Sequence, residues 1–500
     1  MFRTSVQNTE VACAEVAVIG GGLAGVATAL RLQAAGLSTV VVEAHGHLGG
    51  CAGYWRHKGF SFDVGATTLV DFEPGGVGAE LLASTGVPPL AGEALPGYEA
   101  WLPDRRVSLH RDQAAWHAER LRAFGDDRAH RRFWALLDQL ATTFWAASRR
   151  GVRLPVRSAA DLVRDVRILG ADLPQVRHLG RTLGGALRDC GLAEDRALRA
   201  LLGMLVEDTV HSTVDRAPLI NAALGVTIRG AGLTRATGGM HGFWRTLAGR
   251  YRSLGGVVLA GTRVSRVDGS AGGFTVETGR GPVRARRVVF AVPAPTAARL
   301  HDGLGRRLDR YLRRDAGEMG GAVLVFLGVP ADEVAGSSFT HHQLLESYEK
   351  PMGDGNNMFV SVSAPGDEIS APSGHRAVMI STHTSLAGWR LPEDAYRQRK
   401  KEITEHLVTQ ARRVYPRLGE RAVVSATGTP RTYERFGFRP GGAVGGPHQT
   451  LRNTNQFAIP HDLGGRGIWL VGDSTWPGLG TVACVLGSRI VAEGILKEKP

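Results

Sequence analysis

Gly20, Gly22 and Gly25, followed by Glu43, have the types and spacing to hold a phosphate ester and a ribose. The glycines form G-x-G-x-x-G. The first permits a tight turn, the second lets a pyrophosphate approach the backbone, and the third lets a helix pack closely on a strand. Leu23 and Ala24, in the first turn of that helix, offer backbone amides to an anion. Glu43, with Ala44 after it, closes the unit, and its carboxylate can accept hydrogen bonds from both ribose hydroxyls. A lone G-x-G-x-x-G also arises in ordinary turns, and this chain holds 67 glycines. The flanking pattern argues for a dinucleotide: an apolar strand from Val16 to Ile19, helical spacing of Leu23, Val26, Ala27 and Leu30 until Gly36, then a strand from Thr39 to Val42. NAD and FAD both remain open on this unit alone.

The residues that follow favour FAD. Gly49 and Gly50, with Cys51 after them, would bring a second backbone segment against the same phosphates, although a plain turn is the alternative. Near the other end, a strand from Ile468 to Val471 runs into Gly472 and Asp473, then a Pro/Gly loop and a helix continuing past Ala492. Asp473 can hydrogen-bond a ribityl hydroxyl, and the amides from Thr481 through Val482 to Ala483, opening that helix, can stabilise negative charge on a reduced flavin ring. Asp473 could instead cap a turn; its co-occurrence with the N-terminal unit weighs against that.

These residues need a scaffold assembled from distant pieces. Between the ends, Gly238-Gly239 opens a helix carrying Phe243, Leu247 and Tyr251, followed by a strand expected through Val257 and Val264 and another from Arg286 to Pro293. The expected fold is α/β: a Rossmann-like FAD-binding domain of the glutathione-reductase βαβ type (14–71, 233–300 and 446–496), interleaved with an α+β substrate-binding and membrane-associating domain (72–232 and 301–445). In the first insert, Phe133, Leu137, Leu140 and Phe144 recur at helical spacing, with Trp134 and Trp145 beside them, and read as core. Leu169, Leu173, Val176, Leu183 and Leu187 read as a further apolar face.

The 500 residues carry a formal net charge of +13. That suits nucleic acid, an anionic membrane or an arginine-rich background. No zinc spacing, basic tail or nucleic-acid module is present, so nucleic acid is set aside. Between Arg149 and Arg199 eleven arginines face six acidic residues. A basic amphipathic segment of this kind can lie on an anionic bilayer, the alternative being a solvated helix face. Four scattered cysteines without C-x-x-C suit a reducing cytoplasm. No stretch reaches the roughly 18 uninterrupted apolar residues of a spanning helix, and the first residues lack a signal-peptide core. The expected location is cytoplasmic, peripheral on the inner face of the cell membrane. G-x-S-x-G, H-E-x-x-H and a P-loop lysine are missing, and His45, His47, His341 and His342 read as loop residues without metal.

With these residues in place the chain resembles the carotenoid desaturase and carotenoid isomerase family of FAD-dependent oxidoreductases over nearly its whole length. The most telling stretch is "GGCAGYWRHKGFSFDVGATTLVDFEPGG", Gly49 to Gly76, which looks like the C-3′,4′ carotenoid desaturase branch. "ALGV" from Ala223, "TGGMHGFWRTL" and "NQFAIP…GIWLVGDSTWPGLGT" fall in the expected order. The resemblance implies non-covalent FAD, with Gly20, Gly22, Gly25 and Glu43 on the ADP half and Gly49 and Gly50 on the pyrophosphate. It places Val264 with its backbone at adenine, and Asp473, Thr481 and Val482 at the ribityl chain and ring. Many relatives have a basic residue directly after the double glycine. Here Cys51 stands there, so Arg56 or another group would have to replace the contact.

The activity implied is introduction of a double bond into an acyclic carotenoid, one hydroxylated or otherwise modified at its end. The catalytic base is not identifiable; Asp63 and Glu207 qualify by type only and read as structural hydrogen-bonders. Isomerisation of cis double bonds with reduced FAD is the first alternative and amine oxidation the second. A GTPase-chaperoning role on the same fold conflicts with the intact "GDSTWPGLGTVA". The expected partners are a hydrophobic polyene and an anionic membrane surface; the oligomeric state is open.

Overall fold

The computed structural model describes residues 12–498. Val16, Ala17, Val18 and Ile19 are buried, and their strand, β1 (Ala12–Ile19), lies in the middle of a seven-stranded sheet. Strands that read as apolar throughout suit a parallel sheet covered on both faces. Helix α1 (Leu23–Ala34) crosses back, and β2 (Thr39–Val42) pairs with β1 in parallel. Val257–Leu259, Val283–Phe290 and Ile468–Leu470 extend the parallel row, so three distant stretches of chain share one sheet. A hairpin, Val264–Ser270 and Gly273–Thr278, folds antiparallel against the start of Val283–Phe290. The C-terminal helix Thr481–Lys497 packs on α1.

Several elements differ from their sequence expectation. The strand expected through Val257 and Val264 is two strands, broken at Gly261 (φ 62°). There the Gly261 N–H donates to the His45 carbonyl at 2.8 Å and the Thr262 N–H to the Glu43 carbonyl at 2.8 Å. Backbone groups spent on the loop after β2 cannot continue a ladder. The strand expected to reach Pro293 ends at Phe290, because Pro293 is the N-cap of helix Ala294–Leu300. The apolar face expected from Leu169 to Leu187 is divided among helix Ala159–Leu169, a 3₁₀ helix Gly170–Gly180 containing Pro174, and helix Leu183–Cys190.

A second seven-stranded sheet runs in the order Val424–Gly428, Gly320–Pro330, His375–Ser385, Asn357–Val362, His341–Leu345, Gly97–Trp101 and Arg106–His110. One face packs Val323, Val325, Val360 and Ile380 against Leu407 and Ala411 of helix Glu393–Ala411. The other sets Leu324, Phe326 and Met379 on Phe60 and Phe62. Those phenylalanines belong to the hairpin Tyr54–His57 and Phe60–Asp63, which emerges directly from Gly49-Gly50. His341 and His342 are therefore not loop residues: they lie in a strand and are fully buried. Each has a partner, His341 Nε2 with Thr67 Oγ1 at 3.3 Å and His342 Nε2 with the Tyr415 hydroxyl at 3.0 Å. Beside this sheet, helix Arg128–Arg150 buries Phe133, Trp134, Leu137 and Leu140 among Leu198, Leu201 and Leu205 of helix Arg196–Val210. Full burial of each such side chain contributes about 1.5–3 kcal/mol, enough to make that stripe core.

Candidate dinucleotide site

The three motif glycines are needed for three different reasons. Gly20 has φ 107°, where a Cβ would also lie 2.5 Å from the Ala291 carbonyl oxygen. A Cβ on Gly25 would lie 2.2 Å from the Gly20 carbonyl oxygen and 2.8 Å from Ala291 Cβ, so this glycine lets α1 sit on the sheet. At Gly22 a Cβ would meet only Gly50 Cα, at 3.9 Å, leaving the space beside it open. Gly22 is the N-cap of α1 and brings no side chain to its first-turn amides. Opposite it, the Gly49 N–H donates to the Gly21 carbonyl at 2.9 Å, and Gly22 and Gly49 form a parallel bridge. The result is a cradle walled by bare backbone, the form a pyrophosphate requires.

Glu43 closes one end of the cradle. Its Oε2 accepts from the Gly21 N–H at 2.5 Å and its Oε1 from the His45 N–H at 2.7 Å, with the Ala44 amide also turned to it. Burial raises its pKa, and the hydrogen bonds from His45 and Gly21 oppose the rise. Val264 begins its strand just after the Gly261-Thr262 turn that is bonded to this same loop, so it stands at the Glu43 end.

The other end is made by the C-terminal segment. Gly472 (φ 124°) passes within contact of Ala24, and Thr481 opens the last helix behind Gly480 without a side-chain cap. Thr481 Oγ1 accepts from the Val70 N–H at 3.3 Å, while Val482 packs against both large cores and so stands where the two halves meet. Two uncapped helix N-termini, those of α1 and of the C-terminal helix, therefore converge. Cys484 is their contact: the Ala24 amide points at its sulfur, and burial, with Asp473 and Cys51 adding to it, pushes its thiol up to about 12.

Asp473 carries a partner that sequence reasoning missed. Arg439 Nη2 donates to Asp473 Oδ2 at 2.7 Å. Burial opposes the Arg439 charge, but Asp473 and then Cys51 outweigh it and hold the guanidinium charged. Arg56, the named substitute for a basic residue after the double glycine, is exposed on the hairpin and faces His241 instead. Nothing local in the sequence links Arg439 to Cys51; only its setting in "RFGFRPGG", a break before two glycines, marks it as a special loop.

Behind Asp473 lies a second polar group, in the half of the molecule carrying the second sheet. Glu207 accepts from Asn357 Nδ2 at 2.5 Å, Asp208 accepts from Gln343 Nε2, and His383 Nε2 sits 3.4 Å from Asp208 Oδ1. The His211 and His383 rings meet edge to face at 4.8 Å. Burial raises the Glu207 pKa. Burial works against a charge on His383, but Glu207 and the Asp208 hydrogen bond outweigh it, so its pKa is raised. His211 is held well below the usual histidine value by burial and by His383. An acid–histidine pair and a second imidazole thus lie together, one glycine loop from Asp473: a Cβ on Gly445 would lie 2.4 Å from His211 Cε1, and one on Gly446 2.0 Å from the Asp473 carbonyl oxygen. Asp63, the other candidate acid, is 3.2 Å from Arg235 and accepts from the Met240 N–H at 2.8 Å, a structural arrangement. Among the described residues no group of three or more His, Cys, Asp or Glu could hold a metal.

A parallel nucleotide sheet with a glycine-walled, doubly helix-terminated cradle, facing a second sheet that carries a separate polar cluster, defines a two-part dinucleotide flavoprotein. The chain belongs to the Flavin containing amine oxidoreductase family, whose profile matches residues 23–496. It is an FAD-dependent oxidoreductase. Among its relatives is prolycopene isomerase 1, chloroplastic, of an Oncidium hybrid cultivar, 24% identical, covering 97% of this chain and 85% of the relative. Phytoene dehydrogenase of Streptomyces griseus is 26% identical over 96% of this chain and 94% of its own length. An oxidoreductase structure from Methanosarcina mazei shares the fold at a TM-score of 0.60 and 17% identity, covering 96% of this chain and 99% of that one. The resemblance to carotenoid desaturases and isomerases read from the sequence is borne out by these relatives.

Proposed function

We propose that this protein introduces a double bond into an acyclic, end-hydroxylated carotenoid, in the manner of a C-3′,4′ desaturase. The observation that carries the reading is the relationship to a phytoene dehydrogenase along 96% of the chain. FAD, when bound, supplies the two-electron acceptor. The chain's own contribution is to hold it between Gly22 and Asp473 and to close the second sheet over it. A polyene offers no charged handle, whereas Gln343 leaves its buried Oε1 without a partner beside Asp208. A hydroxyl on the substrate would satisfy such a group, which supports a modified end rather than a pure hydrocarbon. The prolycopene isomerase relationship, over 97% of the chain, favours a second reading, cis–trans isomerisation with no net oxidation. Amine oxidation rests on the family description alone.

The same reading places the protein on the cytoplasmic face of an anionic membrane, where the substrate dissolves. Helix Ala159–Leu169 exposes Leu162, Val163 and Val166, and Leu173 follows, with Arg157, Arg167 and Arg177 exposed around them. No helix among the described residues is long and apolar enough to cross a membrane.

The deciding experiment incubates FAD-loaded protein with a 1-hydroxylated acyclic carotenoid in liposomes and measures product mass and absorption. Loss of two hydrogens with a red-shifted spectrum is expected. Unchanged mass with an altered cis/trans ratio would overturn desaturation in favour of the isomerase reading.

A further inference from the structure

We propose that Arg439 is a phosphate-binding residue of the FAD site, delivering from the distant loop after helix Pro430–Gly437 the positive charge that Cys51 does not provide. This goes beyond the carotenoid reading and rests only on the cradle being the FAD site. An arginine has five N–H donors. In Arg439 the Nε donates to the Ala443 carbonyl at 2.6 Å, and Nη2 donates to the Gly445 carbonyl and to Asp473. Nη1 has no partner among the described residues. The side chain is only 13% exposed, yet Nη1 is not closed off, so its two donors remain accessible to an incoming ligand.

The surroundings say by what. The guanidinium lies among Asp473, Cys51 and Cys484, that is, between the Gly49-Gly50 wall and the start of the C-terminal helix. Two helix N-termini and one guanidinium contribute positive potential there, against the single carboxylate of Asp473. The excess is positive, which favours an anion there. Planar forked donors suit phosphate oxygens. The loop is built to aim this side chain: Phe438 is in the left-handed region (φ 52°) with Arg263 stacked at 5.2 Å from its ring centre, and a Cβ on Gly442 would lie 1.8 Å from the Pro430 carbonyl oxygen. The Ala443 and Gly445 carbonyls then fix the guanidinium plane.

The test uses the full chain stripped of flavin and measures the dissociation constant for FAD by flavin fluorescence, with thermal unfolding of the apo-protein alongside. Arg439→Gln is expected to weaken FAD binding tenfold or more, and Arg56→Gln to leave it unchanged. Adding Cys51→Arg to Arg439→Gln returns a cation to the same spot and should recover most of the loss while leaving the unfolding transition of the apo-protein where Arg439→Gln put it, which repair of a merely structural ion pair with Asp473 would not do. If Arg439→Gln does not fold, Arg439→Lys takes its place. It keeps the Asp473 ion pair but not the forked donors, and should bind FAD at least threefold more weakly, with recovery on adding Cys51→Arg. FAD binding by the Arg439 variant within twofold of wild type, or no recovery with Cys51→Arg, overturns the assignment. A wild-type chain that binds no FAD would overturn the cofactor site with it.

Discussion

Gly22 and Gly25 belong to one motif, yet a methyl group would meet different things at the two positions. At Gly25 it would strike the Gly20 carbonyl at 2.2 Å, backbone that cannot yield without moving α1 off the sheet. At Gly22 it would point into open space, where the proposed pyrophosphate site lies. Gly25→Ala is therefore expected to destabilise the apo-protein by 2 kcal/mol or more, within the range of about 1–3 kcal/mol for overpacking and above it where backbone resists. Gly22→Ala should leave apo-protein stability unchanged and weaken FAD binding about tenfold, about 1.4 kcal/mol. Denaturant titration with and without FAD separates the two; equal losses of apo stability would refute the distinction. This is also the scale at which the sequence is most legible. Gly20 to Glu43 is a local pattern, fixed by a turn, a helix and two strands in immediate succession. Arg439 was not legible, because its partner Asp473 comes from another part of the chain and the pair exists only after the sheet has brought both ends of the molecule together.

Elements were legible where one periodicity ran unbroken. β1, α1 and β2 have it, and so does helix Arg128–Arg150, whose stripe is core. His341 and His342 failed that test: two polar residues in succession look like a loop, and their strand is made buried by Thr67, Tyr415 and the neighbouring strands rather than by their own hydropathy. The basic segment after Arg149 was legible in composition but not in shape. The structure resolves it into a short helix, Ala159–Leu169, whose Ser158 and Asp161 form a capping box, with Leu162 at 54% and Val163 at 46% exposure. A shallow groove lined by Ala159, Ala160, Val163 and Ile168 runs beside them. On the proposed membrane face, insertion of Leu162 and Val166 into the acyl boundary would contribute about 1.5–3 kcal/mol per fully buried side chain. Leu162→Asp with Val166→Asp should accordingly reduce sedimentation with anionic liposomes at least tenfold without altering the unfolding transition. Arg167→Glu should reduce binding to anionic liposomes but not to neutral ones, since about 1 kcal/mol per basic residue comes from the lipid charge. A double aspartate variant that sediments like the parent would remove this helix from the proposed membrane face.

At the scale of the whole molecule, the two sheets are joined through buried polar residues, and this makes stability depend on pH. His341 in the second sheet reaches Thr67, in the segment leading from the cradle, and stacks on Tyr98 at 5.1 Å. Burial, with Arg235 and His342 adding to it, holds its pKa well below the ordinary 6.5. Below that value the unfolded chain takes up a proton that the folded chain does not, so the unfolded state binds more protons and stability falls as pH falls. That loss develops as pH falls below the ordinary histidine value. His211 acts in the same direction. His383 acts in the opposite one, because its raised pKa gives stability that is present below 6.5 and lost as pH rises through the folded value. Glu43 and Glu207, raised by burial, also favour the protonated folded form, so stability from them declines as pH rises out of the carboxylate range. The total curve mixes these terms, and a difference isolates one of them. Urea unfolding of wild type and His341→Gln from pH 5 to pH 8 should show the variant less stable at pH 8, with the gap narrowing as pH falls below 6.5. Parallel curves would mean that His341 takes up its proton without opening the joint between the sheets, and the coupling argued from its burial would be lost.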